Sequence, residues 1–260
     1  MPAHRSAVLV QTIIGVTARR RGCGVTRKKT GAGFLPAVRN IFCYTSLMVV
    51  GVLAFQGDFA EHIAVLHSLH VPALEVRSLE DLAKVDALIL PGGESTVISK
   101  FLEESGVGKE IRRRALTPLP PLPARTERVR SGGPRGEGEK GKLILYGTCA
   151  GAILLSKKGT GKNCPRTLGL IDVTIDRNAY GSQAESFEAK LSVKGLKDKI
   201  DTAFIRAPKI TKIGREVEVL SSHEGVPVLV RQGNILIGTF HPEVRGNTKI
   251  HELFLKMTTE

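Results

Sequence analysis

At 260 residues the chain is long enough to bury one large core or two small ones, and its hydrophobic content of 42% fits a globular protein. The longest apolar stretch near the start, Leu47 to Phe55, falls well short of the roughly 20 residues a membrane helix requires, so no membrane association is expected. The net charge of +13 raises a nucleic-acid reading, but eight basic and no acidic residues lie in 1–47, and nine basic against three acidic lie in 112–142; the remainder is nearly neutral, and such blocks read as solvated segments rather than a nucleic-acid surface.

Residues 1–47 are rich in Arg and Gly. They resemble a transit peptide in composition, or else Met48 is the true start and the leader is a start-site artefact or a disordered extension. A domain is expected over 48–260. Its first strand, Val49 to Ala54, follows Met48 directly. Asp58 to His70 places Ile63, Leu66 and Leu69 at helical spacing. Ala73 to Val76 reads as a short strand, and Ser78 to Ala83 as a short helix capped by Ser78. Ala87 to Leu90 is a continuous apolar run of the kind that suits a parallel strand covered on both faces, and a helix follows Pro91-Gly92-Gly93 through Glu103.

Thr117 to Gly138 then interrupts the rhythm with five prolines and four glycines, a composition that forms neither helix nor interior strand. An exposed insert is expected there. Leu143 to Tyr146 resumes as a strand, with a helix from Cys149 to about Lys157. Strand-rich segments follow at Ile171–Ile175, Phe187–Val193, Ala203–Arg206, Val217–Leu220, Val226–Arg231 and Ile235–Phe240, and a closing helix at Thr248–Met257. The first half is a doubly wound α/β pattern, and the second is richer in hairpins.

Four cysteines, Cys23, Cys43, Cys149 and Cys164, show no metal-ligand spacing and no CxxC pair. No metal, cofactor or disulfide framework is expected, and a reducing, cytoplasmic compartment is the default. Gly147-Thr148-Cys149-Ala150-Gly151 joins a strand to a helix, the layout of a nucleophile elbow. Such a turn strains the backbone at the nucleophile, and flanking glycines avoid clashes there. The helix start favours thiolate, and the N–H of Ala150 can face an oxyanion.

A thiolate needs a base. Of seven histidines, His241 follows a strand at its carboxyl end, where open parallel sheets bind ligands. Glu243 lies two residues on, and an extended backbone puts both side chains on one face. His62, His67 and His70 read as surface or packing residues. Pro91-Gly92-Gly93-Glu94-Ser95 also sits at a strand's carboxyl end and a helix start, where backbone N–H groups can meet an anion.

Seven blocks occur in order: residues 51–58 (GVLAFQGD), 90–96 (LPGGEST), 147–151 (GTCAG), 177–181 (RNAYG), 186–188 (SFE), 204–208 (FIRAP) and 240–243 (FHPE). Together they resemble the glutaminase subunits of pyridoxal 5′-phosphate synthase, the SNO family of class I, triad-type glutamine amidotransferases. The resemblance runs from about 48 to 258, apart from the insert.

The resemblance implies a flavodoxin-like, doubly wound, mostly parallel sheet with added β-hairpins. It implies Cys149 as nucleophile, His241 as acid/base, Glu243 as its orienter, and Gly93 and Ala150 as backbone oxyanion donors. It further implies that Glu94, Ser95, Arg177, Ile205 and Arg206 help to hold L-glutamine, and that the ammonia released passes to a separate pyridoxal 5′-phosphate synthase subunit. The alternatives are a glutaminase serving another synthase, such as an imidazole-forming one, and a non-catalytic scaffold subunit. The insert lies at the amino edge of the sheet, away from these residues, so activity is expected to survive it.

Overall fold

A computed structural model describes residues 48–117, 142–177 and 186–258. The leader, nearly all of the insert and part of the 177–181 block lie outside the described residues. The first half runs β1 (Val50–Leu53), α1 (Phe59–Ser68), β2 (Ala73–Val76), α2 (Leu79–Lys84), β3 (Ala87–Leu90), α3 (Ser95–Glu104), α4 (Val107–Leu116), β4 (Ile144–Thr148) and α5 (Ala150–Leu155). The second runs β5 (Ser156–Thr160), β6 (Ile171–Asp176), β7 (Phe187–Leu191), β8 (Ile200–Phe204), β9 (Lys209–Ile213), β10 (Glu218–His223), β11 (Val226–Gln232), β12 (Ile235–Gly238) and α6 (Lys249–Lys256).

Seven strands form the central sheet in the order β10-β11-β12-β4-β3-β1-β2. The five from β12 to β2 are parallel, and β10 and β11 add an antiparallel edge. This is the flavodoxin-like strand order, extended by a hairpin. A three-stranded sheet, β5-β6-β9, and the β7-β8 pair supply the remaining strands.

The continuous apolar strands have a simple cause. Successive side chains leave opposite faces of a strand. Leu88 and Leu90 of β3 therefore enter one core with Ile98 and Leu102 of α3 and Ile153 of α5. Ala87 and Ile89 enter the other, with Leu66 of α1 and Phe254 of α6. Both faces are covered, so no polar residue is tolerated in β3. Ser78 caps α2 as its sequence suggests, its hydroxyl accepting from the Asp81 N–H at 3.1 Å.

Several boundaries depart from the sequence expectation. The helix after Cys149 ends at Leu155, and Ser156 opens β5 rather than extending the helix to Lys157. The strand expected at Ala203–Arg206 lies earlier, at Ile200–Phe204, because the backbone turns left-handed at Arg206 (φ 44°). Besides β5, helix α4 and strand β9 have no counterpart among the sequence expectations. Helix α4 buries Val107, Ile111 and Ala115, an i, i+4, i+8 spacing hidden among arginines; one of them, Arg114, is itself buried, donating to the Leu82 and Val85 carbonyls at 2.6 and 2.9 Å. Strand β9 buries Ile210 alone among its residues, too little for an alternation to be visible.

Candidate active site

Strand β4 delivers Cys149 to the carboxyl edge of the sheet on a sharp bend, with φ 45° and ψ −99°. That conformation is costly for a residue with a side chain. Tertiary contacts hold it. The Cys149 N–H donates to the Gly238 carbonyl at 2.9 Å. A Cβ added at Gly147 would lie 2.7 Å from the Gly151 carbonyl carbon, and one at Gly151 would lie 2.0 Å from the Leu90 carbonyl oxygen. The two glycines let strand, helix and neighbouring strand meet at backbone distance, which is why the elbow needs both.

A cleft of about 550 Å³ opens above this edge. Gly93, Glu94, Ser95, Cys149, Ala150, Arg177, Ile205, Arg206 and His241 all line it. Thus nine of the ten residues singled out in the sequence meet in one place; Glu243 is buried behind His241. The Cys149 thiol faces the Ile205 carbonyl at 3.9 Å, and it shares the cleft with the His241 ring, whose charged form it favours. His241 is buried and its backbone is pinned to β8, its N–H donating to the Ala203 carbonyl at 2.8 Å.

His241 Nδ1 lies 2.7 Å from Glu243 Oε1 and 2.8 Å from Asp58 Oδ2. The route to Glu243 differs from the extended backbone expected. Pro242 is helical (φ −72°, ψ −30°) and Glu243 opens a 3-10 turn, Glu243–Arg245, so a turn rather than a pleat brings the carboxylate under the ring. Burial disfavours a charged imidazole, but the hydrogen bonds to Asp58, Cys149 and Glu243 outweigh it and push His241 up to about 12. Burial likewise raises the Asp58 carboxyl, but its hydrogen bond and charge attraction to His241, with further hydrogen bonds, together outweigh that and leave it below its usual value. The Asp58 contact thus favours an imidazolium, while burial raises the Glu243 carboxyl above its usual value.

Glycine-turn residues hold the opposite wall. Gly93 has φ 140°, and the next N–H, that of Glu94, donates to Gln56 Oε1 at 2.7 Å. The Glu94 carboxylate accepts from the Thr96 hydroxyl at 2.8 Å and pairs with the Arg177 guanidinium. Arg177 also donates to the Asn163 carbonyl at 2.8 Å. The Thr96 hydroxyl, with help from Arg177 and Arg206, keeps the Glu94 carboxyl below its usual range. Ser95 Oγ is buried at the cleft wall without a hydrogen-bond partner among the described residues.

Sequence reasoning misses Asp58 and the cluster behind Glu243. Of the three histidines expected at the surface or in packing, His62 is fully buried, while His67 and His70 are exposed. His62 Nε2 lies 3.1 Å from Thr148 Oγ1 and 3.8 Å from Glu243 Oε1, and its Nδ1 lies 2.9 Å from His251 Nε2. Residues 58 and 62 stand one helical turn apart, but no local spacing connects them to 241 and 251; only the packing of α1 and α6 on one face of the sheet does so.

Burial lowers His251 to about 4. Below the ordinary value of 6.5 the unfolded chain takes up a proton at this residue while the folded one does not until about 4, so its contribution to stability falls as pH falls through that window. The loss approaches roughly 3 kcal/mol at its full extent. Thermal unfolding should show this as a difference: the melting-temperature advantage of the wild type over His251→Gln narrows steadily from pH 7 to pH 4.

A doubly wound sheet with a cysteine elbow over its carboxyl edge defines a class I glutamine amidotransferase fold. A solved structure described as a glutamine amidotransferase is 43% identical and aligns with a TM-score of 0.66 over 81% of this chain and 99% of its own. A putative GMP synthase component from Thermoplasma acidophilum shares the fold at 18% identity, with a TM-score of 0.54 over 82% of this chain and 94% of its own.

The chain belongs to the SNO glutamine amidotransferase family, which it matches over residues 52–121 and 137–260. The break in that match falls inside the Pro/Gly-rich stretch. Among curated relatives, the pyridoxal 5′-phosphate synthase subunit PdxT of Thermus thermophilus is 43% identical over 209 residues, 80% of this chain and 97% of the relative. The subunit of that name from Mycobacteroides abscessus is 44% identical over 210 residues, 80% of this chain and 96% of the relative.

Proposed function

We propose that this chain hydrolyses L-glutamine to L-glutamate and ammonia, and that it supplies the ammonia to a pyridoxal 5′-phosphate synthase subunit with which it assembles. The observation that carries the reading is a thiol on a strained elbow that lines one cleft with an imidazole, and a buried carboxylate hydrogen-bonded to that imidazole. Membership of the family and the names of the relatives support the substrate and the partner.

In this reading the Cys149 thiolate attacks the side-chain amide carbon of glutamine, and the backbone N–H groups of Gly93 and Ala150 stabilise the oxyanion. His241, charged at the start, gives its proton to the departing ammonia. The imidazole, now neutral, takes a proton from water as it attacks the thioester, and glutamate leaves as the thiol is restored. Glu243 holds the ring in register throughout.

Arg177 and Glu94 suit the two charges of a free amino acid: the guanidinium can bind a carboxylate and the carboxylate an ammonium. Ser95, Ile205 and Arg206 complete the wall around the substrate. A free thiol nucleophile suits the reducing cytoplasm. Among the described residues no helix is long and apolar enough to cross a membrane.

The test is glutamate release by the full chain mixed with the synthase subunit, together with alkylation by a glutamine-like electrophile. Turnover with labelling at Cys149 is expected. Absence of turnover, or labelling spread over other thiols, would overturn the reading.

A further inference from the structure

We infer that Asp58 is a positioning residue for the imidazole of His241, a second carboxylate that grips the same ring nitrogen as Glu243 from a different element of the fold. The inference rests on the glutaminase reading for its kinetic consequences, and on geometry for the contact itself.

Asp58 occupies the N-cap position of α1, yet its side chain makes no capping hydrogen bond. Aspartate there ordinarily accepts from a free N–H of its own first turn. Here the carboxylate turns away from the helix and puts Oδ2 2.8 Å from His241 Nδ1. The helix start forgoes a cap, and the cleft gains an acceptor.

The slot in which the two side chains meet is kept open by Gly92. A Cβ added there would lie 2.3 Å from His241 Cε1 and 2.7 Å from Asp58 Oδ2. Ring and carboxylate thus fill the space that any other residue at 92 would take.

The two carboxylates do different work. Glu243 is on the same loop as His241 and moves with it, so it fixes the ring's rotation but not its place relative to the elbow. Asp58 stands at the start of α1, a separate element that packs on the sheet through Leu66 and also touches that turn, His62 Nε2 lying 3.8 Å from Glu243 Oε1. Both contacts converge on Nδ1, so the ring is tethered to the start of α1 as well as to its own turn. A single Nδ1 proton cannot point along both contacts at once, so the second carboxylate acts mainly by its charge, favouring the imidazolium that the acid step consumes.

The groups facing His241 are Asp58 from α1, Glu243 from its own turn, Cys149 from the elbow, and His62, also from α1 and kept neutral by burial. Only Asp58 among them is a partly exposed carboxylate, with a side-chain exposure of 22%. It can therefore be changed without opening the core.

Two variants separate charge from contact. Asp58→Asn keeps the shape and an acceptor oxygen but removes the charge; the pH profile of kcat for glutamine hydrolysis, measured with the synthase subunit present, should move to lower pH by about one unit. Asp58→Ala removes both; kcat should fall about tenfold or more, while KM for glutamine stays within about twofold, because the loss is one of alignment in the reacting state. Both variants should lower the melting temperature somewhat near neutral pH, because each removes the carboxylate paired with His241, so the kinetics and not stability alone decide the role. Unchanged pH profile and kcat in both variants would overturn the inference, as would a lowered melting temperature with unaltered kinetics, the mark of an ordinary cap. Histidine-ring NMR of the free chain reads the coupling with no substrate: the His241 titration should move to lower pH in Asp58→Asn, and an unmoved titration counts against the inference. Failure of the wild type to hydrolyse glutamine would sink the functional reading instead, and the ring titration would still decide this one.

Discussion

Replacing Cys149 with alanine is expected to reduce glutamate release by roughly 10⁴-fold or more, with the synthase subunit present and the fold intact. The chemistry has no second route in this cleft. Water could be activated by His241, but a neutral amide is a poor target without a covalent intermediate, and the imidazole is held as its cation beside Asp58. The oxyanion donors survive the change, so a trace of rate above the uncatalysed reaction is expected, and no more. Stability offers a second readout. Alanine keeps a Cβ and so keeps the strain at φ 45°, whereas Cys149→Gly relieves it. The glycine variant should be equally inactive yet more stable than alanine by about 1 kcal/mol, within the usual cost of such a conformation. Near-normal glutamate release by Cys149→Ala would remove the mechanism outright.

Gly151→Ala should damage stability and activity together. The new methyl would sit 2.0 Å from the Leu90 carbonyl oxygen and 2.7 Å from its carbonyl carbon, both backbone atoms of β3. Neither can rotate away. Strand and helix must separate, which in a packed interior costs about 3 kcal/mol and lowers the melting temperature by roughly 6–12 °C for a domain of this size. The elbow moves with the helix, so the Cys149 to His241 contact loosens and turnover falls with it. Gly238→Ala is the matched control. It is also buried in the sheet, but its nearest neighbour would be a Leu229 methyl at 3.5 Å, ordinary contact distance. If thermal unfolding finds the two variants alike, backbone proximity is not what the elbow glycines provide.

Much of the fold is legible in the sequence, and the reason lies in what each residue depends on. The apolar runs Val50–Leu53 and Ala87–Leu90 announce parallel strands because both faces of a central strand must be covered, a demand the strand's own residues have to meet. The cap at Ser78 is equally local, answering to Asp81 three residues on, and Gly147 answers to Gly151, whereas Gly151 answers to Leu90 on the neighbouring strand. Helix α4 is hidden because a buried Arg114 breaks its apolar face, and that burial is tolerable only where the Leu82 and Val85 carbonyls happen to end another helix.

The site divides along the same line. Sequence by itself determined the class of fold, the elbow, and the candidate trio Cys149, His241 and Glu243, because strand ends, turns and glycines carry their meaning within short spans. Tertiary structure alone decided that Glu243 reaches the ring through a 3-10 turn, that Asp58 abandons its own helix for His241, and that His62 and His251 lie buried behind the carboxylate. Polar side chains leave water only where distant partners compensate them, and no spacing along the chain records which partners those will be.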